Sequence, residues 1–127
     1  MAEEKQIKSC KVVLIGESGV GKTSITSYYI YEKFDSEITA TTAASFVSKT
    51  VKFDEYNGSI KFDIWDTAGQ EIYRSLAKIF YKGANAAVLV YDITDKKSFM
   101  EIKNYWYQQI KENSPNANKL KLINIIF

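Results

Sequence analysis

The 127-residue sequence contains no histidine, one cysteine and one proline. Without histidine the commonest proton carrier near neutral pH is missing, so any catalysis falls to carboxylates, amides, cations, a metal or backbone groups. Cys10 alone excludes an internal disulfide, and one thiol without an imidazole leaves nothing from which to build an ordinary zinc site. A reducing, intracellular setting is the expectation. No apolar run approaches the roughly 20 residues of a membrane-spanning helix, and the opening MAEEKQIKSC has no signal-peptide core. Strong charge of one sign is lacking too. Seventeen Lys and Arg stand against 15 Asp and Glu, and a net +2 predicts neither nucleic-acid nor anionic-membrane binding. The length excludes a second domain.

What is present alternates between two periodicities. Cys10 to Ile15 (CKVVLI) is a short β-branched run suited to a strand buried on both faces. A glycine-bearing turn, Gly16 to Gly21, separates it from Lys22 to Phe34, whose Ile25, Tyr28, Tyr29 and Phe34 predict a helix; Ser36 to Thr42 reads as a polar loop. Phe46 to Phe53 and Ser59 to Asp66 read as antiparallel strands, with Asn57-Gly58 between them supplying the left-handed dipeptide of a tight hairpin turn. A loop (Thr67 to Gln70), a helix (Ser75 to Lys82) and the apolar strand Ala86 to Tyr91 follow. Asp95 or Ser98 is placed to cap a further helix with Phe99, Ile102, Trp106 and Ile110 as its apolar stripe, and Pro115 breaks the pattern before a last strand-like run from Lys119. The order β-α-β-β-α-β-α-β predicts an α/β fold with a mostly parallel sheet and one antiparallel hairpin.

Two segments carry chemistry. Gly16-Glu17-Ser18-Gly19-Val20-Gly21-Lys22-Thr23 matches G-x-x-x-x-G-K-[ST] between a predicted strand and a predicted helix. Glycines there let backbone N–H groups curl around a phosphate chain, the helix N-terminus adds positive potential, Lys22 reaches the terminal phosphates, and the Thr23 hydroxyl suits Mg²⁺. A glycine-rich turn with a surface lysine is the plain alternative, and the flanking elements argue against it. Asp66-Thr67-Ala68-Gly69 then closes a strand that would run beside the first, delivering an acid for Mg²⁺ and a glycine N–H for a γ-phosphate. By itself an acid with a nearby glycine at a strand end is a common turn.

GESGVGKT, WDTAGQE and KGANAAVLVYDIT together resemble a small GTPase of the Ras superfamily, and within it a Rab; the similarity runs from about Lys8 to about Asn116. The resemblance implies a P-loop NTPase fold of the G-domain type, GTP and GDP as ligands, and Mg²⁺ as cofactor. It implies Gln70 as the water-positioning glutamine, and Thr41 as the first-switch threonine that binds Mg²⁺ and senses the γ-phosphate. It also implies Gly69 as the second-switch glycine, and Gly16, Ser18, Gly19, Val20, Gly21, Lys22, Thr23 and Ser24 as the nucleotide cradle, with Thr23, Thr41 and Asp66 around the metal. Phe46, Trp65 and Phe80 fall where Rabs place the aromatic trio read by effectors; an exchange factor and a GTPase-activating protein are the other implied partners. The TTAASF stretch resembles that of endosomal-type Rabs, which work at cytosolic faces of endomembranes.

The sequence also departs from that pattern. Ala43 stands where Rabs usually have glycine, Ile72 where they usually have arginine, and Asn124 has no Lys-x-Asp after it. The expectation is a partial domain over residues 1–127 that is incomplete at the C-terminus, without the base-reading motif, the closing elements or the prenylated cysteines. It would be cytoplasmic with no membrane anchor of its own. Two other readings remain open at this point: a truncated interaction fragment or incomplete gene product unable to hold guanine nucleotide, and a P-loop ATPase or kinase.

Overall fold

A computed structural model describes residues 7–32, 44–56, 58–67, 74–113 and 119–125. The first β-branched run becomes strand β1 (Ile7–Ile15), at the centre of a five-stranded sheet. It is flanked on one side by β3 (Gly58–Thr67) and on the other by β4 (Ala86–Asp92), both parallel to it; β2 (Ala44–Phe53) pairs antiparallel with β3, and β5 (Lys119–Ile125) lies parallel along the far side of β4. The sheet order is β2-β3-β1-β4-β5, the mostly parallel arrangement with one antiparallel pair that the sequence predicts.

Side-chain alternation sorts the sheet into two faces. Val13 and Ile15 of β1 and Ala87 and Leu89 of β4 form the main core with Tyr81, Ala84, Ile102, Trp106 and Ile110, and Trp65 packs against its margin. Tyr81 comes from α2 (Arg74–Tyr81), Ala84 from the turn before β4, and the other three from one long helical stretch made of α3 (Lys96–Glu101), a π-helical segment (Ile102–Trp106) and α4 (Tyr107–Asn113). The opposite face carries Leu14 and Ile64, and α1 (Lys22–Tyr31) packs against β2 and β3.

Several boundaries differ from the sequence reading. β1 starts at Ile7 rather than Cys10, because pairing with Ser59, Ile60 and Lys61 extends the ladder through residues with no apolar pattern. α1 ends at Tyr31, short of Phe34, where Glu32 turns left-handed (φ 56°) and returns its N–H to the Tyr28 carbonyl. The hairpin is longer than Asn57-Gly58 suggests. A 3₁₀ turn over Asp54–Tyr56 starts the connection, and Gly58 already pairs with Phe53 inside β3. Of the two candidate caps, Asp95 takes the role, its carboxylate accepting from the Lys97 N–H at 3.1 Å. Ser98 instead is buried, with its hydroxyl donating to the Asp95 carbonyl at 2.7 Å.

The π-helical segment has a physical reason. Residues spaced by four drift about 40° per step around an α-helix of 3.6 residues per turn. Ile102, Trp106 and Ile110 are spaced by four and all buried, and the wider turn, closed by the Tyr107 N–H on the Ile102 carbonyl, reduces that drift.

Candidate functional site

The turn after β1 is shaped by its glycines. At Gly16 a Cβ would lie 2.2 Å from the Val90 carbonyl oxygen, so only glycine lets β4 come this close. Gly21 (φ 102°) is the N-cap of α1 and brings no side chain to its first-turn N–H groups, which stay available to an anion. Between these glycines, Ser18 and Gly19 are exposed and Val20 is buried.

Lys22 points back into the loop that precedes it. It is only 6% exposed, and its Nζ donates to the Gly16 carbonyl at 2.9 Å and to the Glu17 carbonyl at 2.6 Å. Burial pushes its pKa down to about 8, against the pull of the Asp66 and Glu17 carboxylates. A base with a lowered folded pKa has a defined effect on stability. Below pH 8 both states hold the proton and the folded chain bears the full penalty, whereas between pH 8 and 10.5 only the unfolded chain holds it, so stability rises with pH across that window. Lys22 should contribute about 3 kcal/mol to this rise in the nucleotide-free chain in chelator. Urea unfolding from pH 7 to 10.5 should show a rise that Lys22→Met lacks, and parallel curves would exclude it.

Asp66 reaches the same place by register. It pairs with Leu14 near the end of β1 and lies fully buried on the α1 face of β3, where its Oδ2 accepts from the Thr23 hydroxyl in the first turn of α1. Thr67, also buried, donates from Oγ1 to the Leu14 carbonyl at 2.6 Å and ties the two strand ends together. The loop, Lys22, Thr23 and Asp66, separate in the sequence, thus converge. Ser24 follows as a half-buried residue of α1. Thr41, Gly69 and Gln70 lie outside the described residues, as do Ala43 and Ile72.

The three aromatics also come together. Phe46 and Trp65 are cross-strand partners with ring centroids 4.8 Å apart, and the Phe80 ring of α2 has its centroid 5.2 Å from that of Trp65. Phe46 is 48% exposed, so this row opens to solvent at its β2 end. Cys10 is half-buried, and its pKa is raised by burial and the nearby Asp63. Three consecutive aromatics, Tyr105, Trp106 and Tyr107, have different surroundings: Trp106 is core, Tyr105 packs edge-on against it and Tyr107 is exposed.

Motif and composition do not reveal Glu17, Arg74 and Trp106. The Glu17 Oε1 accepts from Arg74 Nη2 at 2.6 Å and from Trp106 Nε1 at 2.8 Å. Glu17 occupies an unspecified position of the glycine motif, and its partners are 57 and 89 residues away, so no local signal could have marked it.

Residues 11–125 match the sequence profile of the Ras family. Among similar proteins, the Ras-related protein Rab-22A of Canis lupus familiaris is 41% identical over 126 residues, covering 94% of this chain and 63% of the relative. The human Ras-related protein Rab-31 is 48% identical over 109 residues, 86% of this chain and 54% of that protein. The chain therefore spans between about half and two thirds of the length of such relatives. With that match over most of its residues, on a sheet and glycine loop of the matching kind, the chain belongs to the Ras family, within its Rab branch.

Proposed function

We propose that this chain is a Rab-type switch that binds GTP and GDP with Mg²⁺ at the Gly16–Thr23 loop, hydrolyses GTP to GDP and phosphate, and serves vesicle trafficking at cytosolic membrane faces. The observation that carries the reading is the buried Lys22 ammonium, held by carbonyls of its own loop beside the Thr23–Asp66 contact. A cation kept at low exposure inside a glycine turn, at the start of a helix, is a receptor for a polyanion.

The donor set suits magnesium. Thr23 and Asp66 offer adjacent hard oxygens, and no group of three or more Asp, Glu or Cys side chains forms a protein cage among the described residues. Mg²⁺ is commonly held by one or two protein oxygens together with substrate phosphates and waters. Thr23, Asp66 and Thr41 would hold it, and when bound it would offset the charge of the outer phosphates. Lys22 would donate to those phosphates instead of to the loop carbonyls. Gly69 would present its N–H to the γ-phosphate, and Gln70 would orient the attacking water, with a partner supplying an arginine. The cradle is completed by Gly16, Ser18, Gly19, Val20, Gly21 and Ser24. The Phe46–Trp65–Phe80 row is the surface we assign to effectors, with an exchange factor and a GTPase-activating protein as further partners. No described helix is long and apolar enough to cross a membrane.

Single-turnover hydrolysis of Mg–GTP tests the reading. The parent chain should turn over slowly but above buffer, and Gln70→Leu should slow it by about tenfold or more, toward the hundredfold cost of a misplaced reactant. Equal rates at the buffer background for both chains would remove the enzymatic part.

A further inference from the structure

Phosphate binding gives no reason for a carboxylate at Glu17. A negative charge on the loop that would cradle a triphosphate repels it, so the residue must be held there by something else. Its side chain is about one-fifth exposed, and its Oε1 receives two donors from distant elements, Arg74 at the start of α2 and Trp106 at the end of the π-helical segment. The Arg74 guanidinium also lies over the Tyr105 and Trp106 rings, at 4.3 and 5.0 Å, and keeps a longer contact of 3.6 Å to Glu101. The backbone of Glu17 faces the other way, with its carbonyl accepting from Lys22 Nζ at 2.6 Å. One residue therefore touches the phosphate-loop lysine through its main chain, and α2 and the π-helical segment through its side chain.

We propose that Glu17 is a positioning residue that pins the start of α2 to the phosphate loop through Arg74 and Trp106. A polyanion that draws Lys22 off the Glu17 carbonyl is then felt at Arg74 without touching it. The contacts explain why the pin holds. Trp106 is fully buried and its indole N–H needs an acceptor, while Arg74 is only about one-fifth exposed and, among the described residues, has Glu101 at the longer 3.6 Å as its one other carboxylate. The pin stands on ligand-free geometry, and only its response to a polyanion rests on the proposed nucleotide site.

The full chain carrying Trp65→Phe leaves Trp106 as its sole tryptophan. Without ligand, Glu17→Gln should speed amide hydrogen exchange over residues 74–81 by about tenfold or more, the loss expected for a charge-assisted hydrogen bond. Exchange at Val13 to Ile15 should change far less, and Glu101→Gln should change residues 74–81 by less than about twofold. Arg74→Gln reads the same pin from its other end should Glu17→Gln fail to fold. Unchanged exchange over 74–81 in Glu17→Gln, an equal rise at Val13 to Ile15, or an equal effect of Glu101→Gln would each overturn the pin. Adding Mg–GTP should shift Trp106 emission with the midpoint of fluorescent-nucleotide displacement, and Glu17→Gln should bind nucleotide but lose the shift. Binding with unchanged Trp106 emission in the chain that keeps Glu17 overturns the coupling. A chain that binds no nucleotide removes the proposed function, and the ligand-free exchange then decides the pin by itself.

Discussion

Replacing Lys22 with alanine should lower affinity for Mg–GTP by two to four orders of magnitude while leaving the chain folded. Two charge-assisted hydrogen bonds to phosphate oxygens at roughly 1.5–3 kcal/mol each give that range. The stability effect should be much smaller because two terms oppose each other. Removing the ammonium relieves the cost of holding a cation at 6% exposure, but takes the donor from the Gly16 and Glu17 carbonyls. Lys22→Arg should bind poorly too, since the wider guanidinium fork does not fit a pocket closed around a single nitrogen. Displacement of a fluorescent nucleotide, with thermal unfolding of the same samples, checks both halves. A folded Lys22→Ala chain within about tenfold of the parent affinity would place the triphosphate elsewhere.

Gly16→Ala should be the most destabilising single methyl in the loop. Its Cβ would sit 2.2 Å from the Val90 carbonyl oxygen, and both partners are backbone, so relief requires moving β4 against β1. A cost above about 3 kcal/mol is expected, the range of overpacking with no flexible neighbour to yield. Gly19→Ala is the internal comparison. Its Cβ would meet nothing within 4 Å, and only the positive φ of 82° counts against it, a cost of about 1–2 kcal/mol. Urea midpoints of the two variants should therefore be well separated, and a Gly16→Ala cost no larger than that of Gly19→Ala would contradict the close approach.

Both predictions rest on residues legible in the sequence, and the reasons are physical. The glycine motif is a local pattern, and buried parallel strands announce themselves as β-branched runs, so the order of elements, the sheet type and the meeting of the loop with Asp66 follow from reading along the chain. Other features depend on partners far away. Ile7 to Ser9 join β1 because β3 offers ladder bonds, whatever their side chains prefer. Asn57-Gly58 carries the strongest local turn signal, but Asp54–Tyr56 turn first and shift the glycine into a strand. The apolar stripe of Ile102, Trp106 and Ile110 predicts a helix and gets one, but a spacing of four is compatible with an α-helix and does not announce the wider turn. Trp106 reads as a core residue and is one; that its N–H is committed to the loop could be seen only once residues 89 positions apart were adjacent.

The alternation along β3 has a consequence for how this chain can change. Trp65 and Asp66 are neighbours in sequence, yet one packs against Phe46 and Phe80 while the other reaches Thr23 beneath α1. Gly58–Thr67 therefore behaves like a reading frame. A single insertion or deletion near its centre would keep every later residue type and exchange their faces, swinging the indole toward the loop and the carboxylate toward the aromatic row. Substitutions can adjust the two surfaces separately, but a change of length in this strand alters both at once.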